Sequence, residues 1–303
     1  MPLYGVLPAL VTPFNRDDGL VNHAALRELV DRVITDGASG VVACGSTGEF
    51  PAMTTAERKA VLETVADQAS DRATVVAHVG SCSTAEAIEL ARHADASGAD
   101  SLLVAPPFYG PQSQDSVFGY FADIAAATDL PICAYHYPAA SGFDGGLEFM
   151  LRLAREIDSI DSFKDSTGDL DLLVRATQDH AYEIQFVCGE ELLFLPALTF
   201  GAKAFIMGSG NLLTSGFVEL QRSFESGDLL RAVAVNAELL PAMRRIVVGP
   251  YAGLIKAAMN EVGLEAGGVR RPQLEPSPAA TAELRTMLSS LDPALWTLGD
   301  QTK

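Results

Sequence analysis

One lysine stands in a setting that suggests covalent chemistry. Lys164 ends a short, partly apolar run in the segment IDSFKDSTGDL, residues 160–170, of a chain that otherwise prefers arginine, with sixteen arginines and five lysines. An amine attacks a ketone only in its unprotonated form, and partial burial favours that form of a lysine. Arginine stays protonated, so it cannot take this role. A solvated surface charge is the ordinary explanation for such a lysine, and a Schiff-base nucleophile is the chemical one.

Three further segments carry side chains that could work with such an amine. They are CGSTGEF at residues 44–50, APPFYG at 105–110 and AYHYPAASG at 134–142. The phenols Tyr109 and Tyr135 ordinarily pack with one satisfied hydroxyl, and Ser, Thr and Gly are common at turns and helix starts. Taken together, a primary amine, two phenols and a turn rich in N–H donors fit an enzyme that forms a Schiff base with a 2-oxo acid.

The elements that must position these segments are short β-type runs that alternate with helical patterns. Eight consecutive units of about 28 residues predict a parallel sheet closed into a (β/α)8 TIM barrel, an α/β fold, with a doubly wound open sheet as the alternative. The predicted strands are residues 5–14, 40–44, 73–80, 100–107, 131–138, 160–164, 183–189 and 202–208. The predicted helices are residues 22–36, 54–69 (with a capping box at Thr54 and Glu57), 83–97, 115–127, 146–156, 168–178, 190–200 and 215–226.

In such a barrel the reacting groups lie at the carboxyl ends of the strands. The three segments follow the second, fourth and fifth predicted strands, and Lys164 ends the sixth. We therefore expect all four on one rim. Beyond the eight units, three more helical patterns predict a division into a barrel over residues 1–226 and a helical extension over residues 227–303 that packs on it.

The composition excludes several classes of function. The net charge of −18 repels nucleic acid phosphates and anionic lipid, so neither nucleic acid nor a membrane is an expected partner. No apolar run reaches the roughly 18 residues of a membrane-spanning helix, and no signal peptide is recognisable, so we expect a cytoplasmic protein. The four cysteines and five histidines are scattered without metal-binding spacing, so we expect no metal.

Two motifs of the sequence resemble the signatures of the dihydrodipicolinate synthase/N-acetylneuraminate lyase family of pyruvate-dependent aldolases. One is GVVACGSTGE at residues 40–49; the other begins with YHYPAASG at 135–142 and ends with FKDS at 163–166. The resemblance covers essentially the whole chain, including the added helices. Tyr137 is bulkier than the residue usual at its position. The resemblance implies a class I lyase that works through a lysine-pyruvyl imine without a cofactor.

The same resemblance implies a role for each matching residue. Lys164 corresponds to the Schiff-base lysine and Tyr135 to the tyrosine that shuttles protons at the substrate. Ser46 and Thr47 correspond to the pair that holds the pyruvate carboxylate. Tyr109 corresponds to the tyrosine that crosses to a neighbouring subunit and completes a proton relay with Ser46 and Tyr135. Because the family is usually tetrameric, a homo-oligomer is implied, at least a dimer and typically a tetramer.

The sequence departs from that of the synthases where the rest of the substrate would bind. Gly189 and Ile206 correspond to backbone positions that line the pyruvyl pocket. Ala140 stands where the synthases carry an arginine for the aldehyde carboxylate, and loss of that partner should cost about 2 kcal/mol or more in recognition. Ser166 offers a hydroxyl where the synthases have alanine, as in enzymes for polyhydroxylated acids. The residues expected to face the variable part of the substrate are His136, Ala140, Ser141, Ser166 and Glu190.

These features favour a lyase, aldolase or dehydratase that acts on a 2-keto-3-deoxy sugar acid. The alternative is 4-hydroxy-tetrahydrodipicolinate (dihydrodipicolinate) synthase, which condenses pyruvate with aspartate semialdehyde in lysine biosynthesis. A second alternative is a catalytically silent barrel that serves as a ligand sensor or scaffold. The presence of Lys164, Tyr135, Tyr109 and the Ser46–Thr47 pair in one chain argues against that last alternative.

Overall fold

Eight strands form in the computed structural model, which describes residues 2–296. One strand forms in every predicted run, and seven of the eight are shorter than predicted because the runs also included loop residues. The strands are β1 (Gly5–Pro8), β2 (Gly40–Ala43), β3 (Thr74–His78), β4 (Ser101–Val104), β5 (Ile132–His136), β6 (Ile160–Asp165), β7 (Gln185–Cys188) and β8 (Ala204–Met207).

The sheet closes on itself. All strands pair in parallel in the order β1-β8-β7-β6-β5-β4-β3-β2. The ring is completed just beyond β1, where the N–H of Leu10 donates to the carbonyl of Val42 at 3.0 Å. The predicted (β/α)8 barrel is confirmed. The doubly wound alternative is wrong, because the strand order contains no reversal.

Side chains alternate between the inside of the barrel and the layer beneath the helices, as the period of two in a strand requires. Val42, Leu103 and Ile206 belong to the buried cluster inside the barrel, together with Tyr135. Phe163 belongs instead to the cluster under the helices. The alternation therefore directs its neighbour Lys164 toward the barrel axis.

Nine helices connect or follow the strands within the barrel. The predicted capping box is present, since Thr54 Oγ1 accepts from the N–H of Glu57 at 3.2 Å and the Glu57 carboxylate accepts from the N–H of Thr54 at 2.9 Å. The short helix α5 was not predicted, and the helix predicted at 190–200 begins late because residues 191–193 form a 3-10 turn. The helices are α1 (His23–Thr35), α2 (Thr55–Ala69), α3 (Thr84–Ala96), α4 (Gln114–Ala125), α5 (Pro138–Ser141), α6 (Gly146–Glu156), α7 (Leu170–Val174), α8 (Phe194–Thr199) and α9 (Gly210–Glu225).

The extension has three helices, α10 (Leu229–Val247), α11 (Tyr251–Glu261) and α12 (Pro278–Ser289). Of these, α10 and α11 lie against α9 of the barrel and α12 packs on those two. Leu239 packs over Gly216 of α9 so closely that a Cβ on the glycine would lie 2.8 Å from the leucine Cδ2. Residue 1 of the predicted barrel and residues 297–303 of the predicted extension lie outside the described residues. Within residues 2–296, no helix has both the length and the apolar character needed to cross a membrane.

Candidate active site

The side chain of Lys164 projects into a cavity at the carboxyl ends of the strands. The lysine lies near the end of β6, is 7% exposed and pairs in register with Tyr135 on β5. Its Nζ atom lies 4.2 Å from the centre of the Tyr135 ring. The cavity has a volume of about 390 Å³, and both side chains line it. The amine and the phenol predicted to act together are thus adjacent.

Gly189 provides the space that Lys164 occupies. A Cβ at this position would lie 2.5 Å from Lys164 Cε and 2.3 Å from Ser166 Oγ. Ile206 on β8 is fully buried and lines the same cavity. The structure therefore brings both predicted pocket residues to the lysine, and it shows why residue 189 must lack a side chain.

The hydroxyl of Ser166, directly after β6, lies between Tyr135 of β5 and Gly189 after β7. Its Oγ atom donates to the carbonyl of Gly189 at 3.0 Å and lies 3.4 Å from the hydroxyl of Tyr135. The N–H of Ser166 donates to the carbonyl of His136 at 3.1 Å, which holds the residue at the rim. Ser166 can therefore contact both the phenol and a group bound next to Lys164.

A tight turn after β2 forms part of the cavity wall. Cys44 and Glu49 bracket the turn with φ values of 58° and 60°. Ser46 and Thr47 line the cavity, and no protein acceptor in the described part of the chain takes a hydrogen bond from either backbone N–H. The turn is held from below by Thr12, whose hydroxyl donates to the carbonyl of Gly48 at 2.8 Å. Free N–H groups of this kind are suited to a carboxylate.

Tyr109 does not reach this cavity within its own chain. Its side chain is 87% exposed, in the loop between β4 and α4. The neighbouring Phe108 packs edge-on against Phe50, with ring centres 5.7 Å apart. The resemblance assigns Tyr109 to the site of another subunit, and that assignment stays a prediction.

His136 faces away from the lysine and lines an adjoining cavity with Tyr137 and Ser166, and the expectation that it contacts substrate stays a prediction. Its neighbour Tyr135 points inward, so strand alternation turns His136 outward. Its Nδ1 lies 2.7 Å from Asp165 Oδ1 and its Nε2 lies 3.2 Å from Asp144 Oδ1. Burial by itself would lower the pKa of His136, but the two carboxylates outweigh it and the pKa is raised. The histidine thus ties the end of β5 to the end of β6, beside Lys164.

The other predicted specificity residues divide between two adjoining spaces. Ala140 and Ser141 line a second cavity of about 220 Å³. Ser46, Tyr135 and Tyr137 line both this cavity and the lysine cavity. The hydroxyl of Ser141 is used within its own turn, since it accepts from the N–H of Phe143 at 3.2 Å. Glu190 lines the lysine cavity and also caps the 3-10 turn that follows. Burial, and then the neighbouring Glu191 carboxylate, raise the pKa of Glu190.

Sequence reasoning missed a buried cluster that contributes Tyr251 and Glu191 to the cavity wall. Tyr251, from α11 of the extension, donates its hydroxyl hydrogen to Glu191 Oε1 and accepts from the N–H of Ser209 at 3.1 Å. The Ser209 hydroxyl also donates to Glu191 Oε1, at 3.1 Å. Burial, and then the Glu191 carboxylate, raise the pKa of Tyr251 well above its ordinary value. No local signal could have paired Glu191 with a tyrosine sixty residues later.

The charges around the two cavities are unequal. Among the residues that line them, Lys164 is the one lysine or arginine, whereas Glu190 and Glu191 are both acidic. A carboxylate on the part of the substrate remote from Lys164 would therefore meet no cation there in this chain. Hydroxyl groups would meet serine, tyrosine and glutamate side chains that can hydrogen-bond to them.

Comparison with known proteins gives a match over nearly the full length. The model of the dihydrodipicolinate synthetase family matches residues 2–291. The 4-hydroxy-tetrahydrodipicolinate synthase 1 of Halalkalibacterium halodurans is 33% identical over 288 residues, which cover 95% of this chain and 96% of that protein. By its name, this relative favours the synthase alternative over the sugar-acid lyase.

Solved structures show the same architecture. Dihydrodipicolinate synthase from Bacillus anthracis matches with a TM-score of 0.91 and 28% identity, over 96% of this chain and 99% of that chain. A prophage protein of the dihydrodipicolinic acid synthase family from E. coli K12, solved in complex with pyruvate, matches with a TM-score of 0.90 and 28% identity, over 95% and 98% of the two chains. Barrel and extension are therefore both part of the shared fold.

Proposed function

Because this chain belongs to the dihydrodipicolinate synthetase family, we propose that Lys164 attacks the carbonyl carbon of a 2-oxo acid and forms an imine with it. The observation that carries the proposal is the 4.2 Å approach of Lys164 Nζ to the ring of Tyr135 in a cavity that also contains the Ser46–Thr47 turn. Such an amine, phenol and N–H cluster is what imine formation with an anionic ketone requires. The family makes the protein a class I lyase, and the residue roles are our assignment.

The proposed reaction proceeds by steps that these residues can perform. The carboxylate of the 2-oxo acid accepts hydrogen bonds from the N–H groups of Ser46 and Thr47. The neutral amine of Lys164 adds to the ketone carbon, and the ketone oxygen leaves as water after protonation. The phenol of Tyr135 donates and accepts the protons of these steps. The protonated imine then takes up the electron pair of the C3–C4 bond, which breaks, or of a C3–H bond, whose proton passes to Tyr135. The enamine formed from the C3–H bond can attack an aldehyde carbon to form a carbon–carbon bond, or expel the C4 hydroxyl, which leaves as water after protonation.

The relatives and the site favour different substrates. The relatives favour 4-hydroxy-tetrahydrodipicolinate synthase, whose second substrate, aspartate semialdehyde, carries a carboxylate. Ala140 supplies no partner for that carboxylate, and neither cavity offers a second cation. Identity of 33% is compatible with a shared pyruvyl site and a changed second site, because the first depends on few residues.

We therefore propose a 2-keto-3-deoxy sugar acid as the substrate, with the synthase reaction as the second candidate. The hydroxyls of Ser166 and Tyr137 and the carboxylate of Glu190 surround the space beyond Lys164 and can hydrogen-bond to a hydroxylated chain. Aldol cleavage and condensation are the two directions of reaction at the C3–C4 bond, and dehydration removes the C4 hydroxyl instead. We further propose a cytoplasmic homotetramer, in which the exposed Tyr109 reaches a neighbouring subunit.

Borohydride trapping tests the imine. Wild-type protein treated with pyruvate and borohydride should gain one reduced pyruvyl group, located on Lys164 by peptide mass spectrometry. Lys164→Arg, which keeps the charge but not the nucleophile, should gain none, whereas Lys203→Arg, outside the cavity, should behave as wild type. Absence of the adduct from the wild type would overturn the proposal.

Two assays run side by side decide the substrate. Cleavage of 2-keto-3-deoxygluconate to pyruvate should proceed with a kcat/KM at least about tenfold above that for condensation of pyruvate with aspartate semialdehyde. Ala140→Arg should improve the condensation, because it adds a bidentate carboxylate partner. Efficient condensation by the wild type would instead establish the synthase reaction.

A further inference from the structure

A buried ion pair joins the turn that faces the cavity to the C-terminal extension. Lys256 Nζ, on α11, donates to Glu49 Oε1 at 2.5 Å, and the two side chains are 1% and 0% exposed. The partners lie 207 positions apart in the sequence. Charges at this depth are costly unless they are paired and their remaining hydrogen-bonding groups are satisfied.

The backbone of the loop after α11 satisfies those remaining groups. Glu49 Oε2 accepts from the N–H of Arg270 at 2.8 Å, and Lys256 Nζ also donates to the carbonyl of Gly268 at 2.9 Å. The ammonium lies 4.2 Å from the centre of the Phe14 ring, which adds a cation–π contact. The Glu49 carboxylate is thus held at two separate points of the extension.

Glu49 is also the end of the turn that carries the proposed carboxylate ligands. Its N–H donates to the carbonyl of Ser46 at 3.1 Å, and its φ of 60° lies in the left-handed region. A residue with a Cβ is strained there and stays there only when its surroundings hold it. The contacts of its carboxylate with Lys256 and Arg270 supply that hold.

The extension also approaches the turn at a second place. A Cβ on Gly208 would lie 2.5 Å from Thr47 Oγ1 and 2.7 Å from the hydroxyl of Tyr251. The threonine of the turn and the tyrosine of α11 therefore pack against the same glycine. Since α11 carries both Tyr251 and Lys256, one helix bonds to Glu49 of the turn and lies near Thr47 at Gly208.

We propose that Glu49 and Lys256 are positioning residues that hold Ser46 and Thr47 in the conformation that binds the substrate carboxylate. This inference rests on the proposed function, which assigns the carboxylate to that turn. It adds that the extension, and not the barrel alone, determines how the carboxylate is recognised. Loss of the pair should therefore weaken the preference for a charged 2-oxo acid while Lys164 still forms imines.

The double variant Glu49→Gln/Lys256→Met tests this, because it keeps side-chain volume and leaves neither charge unpaired. Imine formation is titrated with pyruvate and with its methyl ester, trapped with borohydride and measured by intact mass. The preference for pyruvate over the ester should fall about tenfold relative to wild type, with the ester titration unchanged. Should the double variant fail to fold, Glu49→Asp, which keeps both charges but shortens the reach of the carboxylate toward Lys256 and the N–H of Arg270, is measured in the same way.

Arg270→Met is the matched control. It removes the contacts of 2.6 and 3.0 Å from the Arg270 guanidinium to Glu57 but leaves the backbone N–H that holds Glu49. We expect lower stability and an unchanged preference for pyruvate. A wild-type preference in the folded Glu49 variants, or an equal loss in Arg270→Met, would overturn the inference. A wild type that traps neither ketone would overturn the proposed function itself, which is a separate result.

Discussion

Lys164 reaches the cavity because the residue beside it has no side chain. Gly189 follows the neighbouring strand β7, and a Cβ on it would lie 2.5 Å from the lysine Cε. Its carbonyl accepts a hydrogen bond from the Ser166 hydroxyl. Space and hydrogen bonding are therefore arranged together around one amine. At the scale of the residue, the site therefore depends on the space around the amine as well as on the functional groups present.

Gly189→Ala should abolish trapping of pyruvate on Lys164. The added methyl would displace the lysine side chain or Ser166, at a cost of about 1–3 kcal/mol in the free energy of unfolding. Gly119→Ala is the control, because a Cβ there meets nothing within 4 Å; it should leave trapping near wild type and, since residue 119 lies inside α4, raise the free energy of unfolding by up to about 1 kcal/mol. Intact mass and urea unfolding measure the two effects. Normal trapping in Gly189→Ala would contradict the crowding seen here.

The histidine beside the site gives a pH-dependent contribution to stability. Asp165 and Asp144 raise the pKa of His136 above its unfolded value of about 6.5, despite the opposing effect of burial. The protonated form is therefore favoured in the folded state. Its contribution is fully present below the unfolded pKa and is lost as the pH rises through the raised pKa.

His136→Asn should remove that part of the pH dependence. We expect the free energy of unfolding of the wild type to fall as the pH rises from about 6.5, and the variant to lose this decrease because asparagine does not titrate. Urea unfolding across the neutral range, followed by circular dichroism, measures both. Parallel curves for the two proteins would contradict the role of the Asp165–His136–Asp144 contact.

At the scale of the element, the extension is a structural part of the site. Helix α11 supplies Tyr251 to the cavity wall and Lys256 to the pair with Glu49, while α10 packs on α9 through Leu239 and Gly216. Extension and barrel share one continuous hydrophobic cluster. We therefore expect the described parts of both to unfold together.

The single tryptophan makes this expectation measurable. Trp296 is 9% exposed and follows a 3-10 turn whose Leu295 carbonyl lies against Gly216. Its fluorescence reports on the extension, whereas far-ultraviolet circular dichroism reports mainly on the barrel. The two unfolding curves should coincide. Leu239→Ala should lower the free energy of unfolding obtained from each curve by about 2–5 kcal/mol. An earlier fluorescence transition would show that the extension detaches first.

At the scale of the whole molecule, a strongly acidic protein recognises an acidic substrate locally. The net charge is −18, and the residues that line the cavities include one basic side chain, Lys164, together with the N–H groups of the turn. The loop with Tyr109 projects outward from the same rim, with its phenol exposed. A site completed by that phenol from a second subunit would explain why a tyrosine stands there at all.

Mixing two inactive variants tests the shared site. Tyr109→Ala lacks the phenol that a neighbour needs, and Lys164→Arg lacks the nucleophile. Mixed dimers should contain one site with both groups, so random exchange should restore about a quarter of the wild-type sites. Activity after unfolding and refolding the mixture measures this, with each variant refolded alone as control. No recovery, with mixed dimers verified by mass, would contradict a site shared between subunits.

The sequence by itself determined the barrel, the lysine and the turn, because each depends on local information. Strand and helix periods can be read within ten to fifteen residues, and Lys164 ends such a run while Ser46 follows one. The tertiary structure alone decided which way His136 points and which residues complete the cavity. Glu191 meets Tyr251 across sixty residues and Glu49 meets Lys256 across 207, and no spacing rule links partners so far apart. Buried charges and hydroxyls are costly unless they are paired, and these pairs form only when the chain folds.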